Sequence, residues 1–177
     1  MVEMSIYGVS FDLVGKQPIV LLKTAEGNRY LPIWIGHPEA AAILMKLQGA
    51  SAPRPLTHDL LVDILGELNV EIVRVTVTEL RESTFHASIT VAQHGSEVEI
   101  DARSSDAIAV AVRAQAPIFA AADVIEESAI EMGADEVNEE EIVGEFRRFL
   151  ERVSAEDFAG AGVEDVEEEQ EAEPEDE

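Results

Sequence analysis

Val70-Glu71-Ile72-Val73-Arg74-Val75-Thr76-Val77-Thr78-Glu79-Leu80 is the stretch that decides the fold class. Its side chains alternate at period two, which is a strand and not a helix. Glu71, Val73, Val75 and Val77 share the face predicted to meet the core; Ile72, Arg74, Thr76 and Thr78 share the other. Arg81-Glu82-Ser83 then turns the chain into Phe85–Val91, with Phe85, Ala87, Ile89 and Val91 inward, and His94-Gly95-Ser96 turns it again into Val98–Arg103. Three strands joined by tight turns make an antiparallel meander.

Upstream, the pattern predicts a second set of three strands. Residues 4–14 alternate with a slip at Gly8, the mark of a bulge. Ile19–Lys23 is nearly all apolar, and Tyr30–Ile35 contains Pro32, which belongs at an edge or a bulge because it cannot donate to a ladder. Two helices separate the strand sets. One is read from Glu39 to Gln48 and closed by Gly49. The other runs from about His58 to Leu68, with Thr57 as N-cap, a Leu56–Leu61 hydrophobic staple, and Leu61, Ile64, Leu65 and Leu68 predicted to be buried. Downstream, Ser104-Ser105-Asp106 caps a helix over Ala107–Ala114 that is apolar nearly all round and so belongs inside. A short strand at Ile118-Phe119-Ala120 and a short helix over Asp123–Glu131 follow. Glu139–Val153 reads as a fifth helix with Ile142, Phe146, Phe149, Leu150 and Val153 as its stripe. From Glu164 onward the chain is too acidic to bury enough surface to order itself.

The order of these elements is neither a βαβ alternation nor a bundle. It predicts an α+β fold: a mixed, largely antiparallel sheet with helices packed against it, plus a C-terminal helix and an acidic tail. The boundaries expected are a domain over 1–133, a helical extension over 134–158 and a tail over 159–177.

Composition narrows the function. There is no cysteine among the 177 residues, which removes disulfides, thiolate metal sites and cysteine nucleophiles. The N-terminus lacks the basic start and apolar run of a signal peptide, and no apolar stretch approaches the roughly 20 residues of a membrane span, so a soluble, cytoplasmic chain with no membrane contact is expected. Exposed strand edges and the stripe of the fifth helix point to a homo-oligomer. Net charge is −25: residues 131–177 hold 20 acids and 3 bases, the rest 17 and 9. Neither part carries the basic patch usual in nucleic-acid binders.

Two polar clusters stand where helices begin. Arg54-Pro55-Leu56-Thr57-His58-Asp59 is the first, and Asp101-Ala102-Arg103-Ser104-Ser105-Asp106 the second. A helix N-terminus offers free N–H groups to a phosphate and disfavours a protonated His58, leaving a neutral imidazole as base or ligand. Arg54 and Arg103 suit bidentate phosphate contacts. Asp59, Asp101 and Asp106, with Glu39, suit a hard divalent cation such as Mg²⁺ or Mn²⁺. The same residues also suit a plainer role, as structural Arg54–Asp59 and Asp101–Arg103 ion pairs with helix caps. The chain has no phosphate-binding glycine loop, no GxGxxG, no GxSxG and no HExxH. His58-Asp59 with His37 and Asp101 has the ingredients of an HD phosphohydrolase, but those are all-helical and three strands intervene here.

Four segments together resemble the bifunctional nuclease family: Leu31-Pro32-Ile33-Trp34-Ile35-Gly36 followed by Glu39-Ala40; Arg54-Pro55-Leu56-Thr57-His58-Asp59-Leu60; Asp101-Ala102-Arg103-Ser104-Ser105-Asp106-Ala107-Ile108-Ala109; and Ala116-Pro117-Ile118. They span roughly residues 4–130. Ser104 departs from the pattern, which has proline there. The resemblance implies a nuclease that cleaves both DNA and RNA, and it assigns no catalytic residues. The expectation built beside it places both clusters on one cleft. His58, Asp59, Asp101 and Asp106 would be catalytic there. Arg54, Arg103 and Ser105 would bind substrate, and Asp59, Asp101, Asp106 and Glu39 would hold metal. The alternative is a non-catalytic ligand- or protein-binding module with an acidic interaction tail.

Overall fold

A computed structural model describes residues 1–12, 17–50 and 52–131. Among the described residues, eight strands form one sheet, in the order β6-β5-β4-β7-β1-β2-β3-β8. β1 (Val2–Asp12), β2 (Gln17–Thr24) and β3 (Arg29–Trp34) make one antiparallel meander. β4 (Glu71–Arg81), β5 (Thr84–Gln93) and β6 (Ser96–Arg103) make the other. The three-residue β7 (Ile118–Ala120) joins them, parallel to β4 and antiparallel to β1. The fold is therefore α+β with a mixed, mostly antiparallel sheet, as the patterning predicts.

Local sequence explains the details. Tyr7 is the extra residue of a bulge between Ile6 and Gly8 in the β1–β2 ladder. The hairpin turns at Glu82-Ser83 and His94-Gly95 hold both central residues at positive φ, the twist that suits right-handed strands. Pro32 pairs with Leu21 of β2 and lies beyond the short β8 (Ile130–Glu131), which reaches only Arg29 and Tyr30. That last strand has no counterpart among the expected elements, because two residues carry too little pattern to read. The short helix before it, α4 (Ala122–Ser128), ends earlier than expected.

Three helices position the site. α1 (His37–Leu47) packs on β2 and on α3, and α3 (Ser104–Ala114) lies over β4 and β5. α3 buries seven residues, Ile108 and Val110 among them, and ends at Gln115 in the left-handed region just before Ala116-Pro117. α2 (Thr57–Glu67) packs on α3 rather than on the sheet, and none of its residues is buried. Leu61, Ile64 and Leu68 are exposed, against the expectation that they face the core. The inward face of α2 is His58, Asp59, Val62 and Leu65, one helical stripe of half-buried residues. Asp59 meets the buried Arg113 guanidinium and His58 the half-buried Asp106, and those contacts set the rotation of the helix.

Among the described residues, no helix is long and apolar enough to cross a membrane. The expected fifth helix at Glu139–Val153, the acidic tail and the segments 134–158 and 159–177 lie outside the described residues, as do the last two residues of the strand read over 4–14.

Candidate active site

The loop Ala52–Leu56 delivers the chain into α2 one residue earlier than its polar pattern suggests. Leu56, not Thr57, is the N-cap, and Thr57 is the first helical residue with no capping hydrogen bond. Asp59, at the third helical position, accepts instead from the Leu56 N–H at 3.0 Å, so the stop on the helix end comes from within. α3 starts the same way: Arg103 is the N-cap, and neither Ser104 nor Ser105 caps through its side chain.

The two helix starts face each other. His58 Nε2 lies 3.0 Å from Asp106 Oδ1, bridging 48 positions of sequence. Arg103 donates from Nε to Asp106 Oδ2 at 2.6 Å and from an Nη to Glu39 Oε1 at 2.9 Å. A chain of hydrogen bonds thus runs His58–Asp106–Arg103–Glu39, across the starts of α2, α3 and α1. His58 is 14% exposed and Arg103 67%, so the imidazole is held while the guanidinium reaches solvent. A cavity of about 300 Å³ opens over this chain, walled by α1 on one side and by Leu56 and Thr57 on the other. Gly36 caps α1 beneath it. A Cβ there would collide with the Glu39 carboxylate, so glycine is what lets Glu39 lie back onto Arg103.

Electrostatics follow from these contacts. Burial pushes the Asp106 carboxyl up, but hydrogen bonds and charge from Arg103 and His58 outweigh it and hold the group below the ordinary carboxylate value. The bond to Asp106, aided by Glu39, raises Arg103 further above an already high value, so it stays a cation.

Asp59 has a different neighbour. It accepts from Arg113 Nε at 2.6 Å, and Arg113 also donates to the carbonyls of Ala109 at 3.0 Å and Ala42 at 3.2 Å. One guanidinium, its side chain 4% exposed, ties α1, α2 and α3 together. Desolvation pushes the Asp59 carboxyl up, while the Leu56 N–H, Arg113 and the charge of Lys46 bring it below its usual value. Arg113 escaped the sequence reading because it stands in the last turn of an apolar helix, where a basic residue looks like a dipole partner. The signal is that the one basic residue of so buried a helix needs a carboxylate from elsewhere.

The remaining expected residues separate from the cleft. Arg54 lines a neighbouring cavity and makes no ion pair with Asp59. Ser105 is buried in the first turn of α3 and is not available to a substrate. Asp101 is exposed on the edge strand β6 opposite Ser88, and no hydrogen bond or ion pair joins it to the described residues. It does share a strand face with Arg103, but Arg103 sits at the strand end and folds its long side chain onto the helices.

Glu39, His58 and Asp106 have the donor chemistry of a divalent-cation site, but the guanidinium of Arg103 already spans the two carboxylates, and Asp59 is turned to Arg113. Among the described residues, no group of three His, Asp or Glu side chains is set to hold a metal ion. As arranged, these residues do not fit a resident Mg²⁺ or Mn²⁺.

The bifunctional nuclease domain model matches residues 20–133, which include every residue of this hydrogen-bond chain. This chain belongs to the bifunctional nuclease domain family. Two proteins of Mycobacterium tuberculosis, whose names state no function, are 38% identical over 163 residues, 88% of this chain and 97% of theirs. Bifunctional nuclease 1 of Oryza sativa subsp. indica is 26% identical over 103 residues, 56% of this chain but 31% of the rice protein. Bifunctional nuclease 2 of Oryza sativa subsp. japonica is 24% identical over 106 residues, 58% of this chain and 33% of its own length. Each of these two alignments covers about a third of the rice protein's own length.

Proposed function

We propose that this bifunctional nuclease domain hydrolyses phosphodiester bonds in DNA and RNA, with His58 as general base and Arg103 as phosphate ligand. The observation that carries the reading is the hydrogen bond between His58 and Asp106, which orders an imidazole beside an exposed guanidinium in one cavity. Asp106 accepting from the Nε2–H leaves Nδ1 with its lone pair, free to take a proton from water. Arg103 spends two donors on Asp106 and Glu39; its remaining N–H groups are available to the non-bridging phosphate oxygens. Water adds to phosphorus, its proton passes to His58, and the departing sugar oxygen is protonated from solvent. Water as nucleophile needs no 2′-hydroxyl, so one site serves DNA and RNA alike.

The step runs on this chain's own residues. A Mg²⁺ or Mn²⁺ requirement would need Arg103 to leave Glu39 and Asp106. The test is cleavage of single-stranded DNA and RNA by highly purified wild type, His58→Ala and Asp106→Ala, each with EDTA and with added Mg²⁺ or Mn²⁺. Loss of about 100-fold or more in both variants, each with wild-type melting behaviour, is expected for a general base and the group that orients it. Equal activity in all three preparations would sink the proposal, since a contaminant would be cutting. The net charge of −25 favours a second reading, a module that binds a ligand without chemistry. Wild type that neither binds nor cuts strands under any of these conditions, with its fold intact, would support it.

A further inference from the structure

Eight lysines and arginines fall among the described residues. Arg74, Arg81, Arg103 and Arg113 are paired with carboxylates, and Lys23 lies over the rings of Tyr7 and Tyr30. Of the three that remain, Lys46 and Arg54 line one cavity of about 260 Å³ between the end of α1 and the start of α2. Both are exposed, and neither makes a hydrogen bond or ion pair with the described residues. In so acidic a chain, two unpaired cations at one concavity are unlike the rest of the surface. The acids there do not cancel them. Asp59 bonds Arg113 and also feels the charge of Lys46, so with Asp63 the lining holds two carboxylates against three cations, Lys46, Arg54 and Arg113. This cavity adjoins the one over His58, and Met45 and Leu56 stand in the walls of both.

We propose that the Lys46–Arg54 cavity is a second phosphate subsite, taking a backbone phosphate of the strand whose scissile phosphate lies over His58 and Arg103. The inference rests on the nuclease reading and deepens it: the substrate is a polynucleotide held at two phosphates on either side of Leu56, not an isolated phosphodiester. Arg54 supplies a planar fork and Lys46 a compact charge, and each neutralises part of a phosphate group. The wall between the cavities is apolar, Leu56 and the thioether of Met45, against which a sugar or base edge fits.

Binding tests this separately from cleavage. His58→Ala protein is titrated with a labelled single-stranded oligonucleotide at several salt concentrations, alone and with Arg54→Ala or Lys46→Ala added. Each added substitution should raise Kd about five- to tenfold and flatten the dependence of log K on log salt by about 0.7, one phosphate contact on a single strand. A strand carrying one uncharged methylphosphonate linkage, moved along its length, should lose affinity at two linkages in the Arg54 protein, one for each subsite, and Arg54→Ala should remove the sensitivity at one of them. Inorganic phosphate is the competing arm: if it binds at Arg54 as tightly as the strand does, the cavity is a free-anion site and the subsite is overturned. Unchanged Kd and salt slope in both variants, while wild type still cuts, would overturn the subsite and leave the nuclease reading standing. A wild type that neither binds nor cuts strands overturns both.

Discussion

α2 and α3 are both eleven residues long, and each carries one half of the candidate site in its first turn, yet they are held by opposite forces. α3 buries seven residues against the sheet. α2 buries none; Val62 and Leu65 are only half-buried on its inward face, Asp59 bonds Arg113 and His58 bonds Asp106, and Leu60, Leu61, Ile64 and Leu68 are left in solvent. An apolar anchor is non-directional, whereas an ion pair fixes a distance and an angle. The helix that offers the base is therefore aimed by polar contacts on a platform made rigid by packing.

The largest test removes the platform. Ile108→Ala in α3 deletes a fully buried side chain and should cost about 2–5 kcal/mol in denaturant unfolding. Next comes the stitch. Asp59→Ala strands a buried guanidinium and should cost about 2 kcal/mol, less than the 3–5 of a fully buried pair because Asp59 is partly exposed. A double-mutant cycle with Arg113→Met separates the pair from the cap, since Arg113→Met leaves the Leu56 N–H bond to Asp59 in place.

Acid should distinguish the two helices as well. Asp59 and Asp106 are both held below the ordinary carboxylate value of 3.8, so their contribution is complete above that pH and is lost as pH falls towards their lower folded values. Amide exchange below pH 3.8 should rise across Thr57–Glu67 before it rises across Ser104–Ala114; simultaneous loss would mean that packing, not charge, holds α2. The smallest effect is expected outside. Leu60→Ser on the exposed face of α2 should change stability by less than about 0.5 kcal/mol in dilute protein. A larger change would show that something covers this face.

How far the site could be read from residues differs between its parts. His58, Asp106, Arg103 and Glu39 stand out by residue type and helix position, and they meet. Asp101, Arg54 and Ser105 stand out on the same grounds but lie apart, because adjacency in a motif says nothing about which way a strand-end or loop side chain turns. The apolar stripe of α2 has the correct period, but a helix seated on another through two polar contacts beside Val62 and Leu65 does not follow its most hydrophobic face.

By itself the sequence determined the α+β class, both meanders, the Tyr7-Gly8 bulge region and the position of each long element, because those depend on alternation, turn chemistry and helix stops within a few residues. Only the tertiary structure decided that β7 seams the two meanders, that α2 rides on α3, and that Arg113 rather than Arg54 receives Asp59. Those depend on which distant groups meet once water is excluded, and a carboxylate's partner is settled by distance and burial, which a linear pattern does not contain.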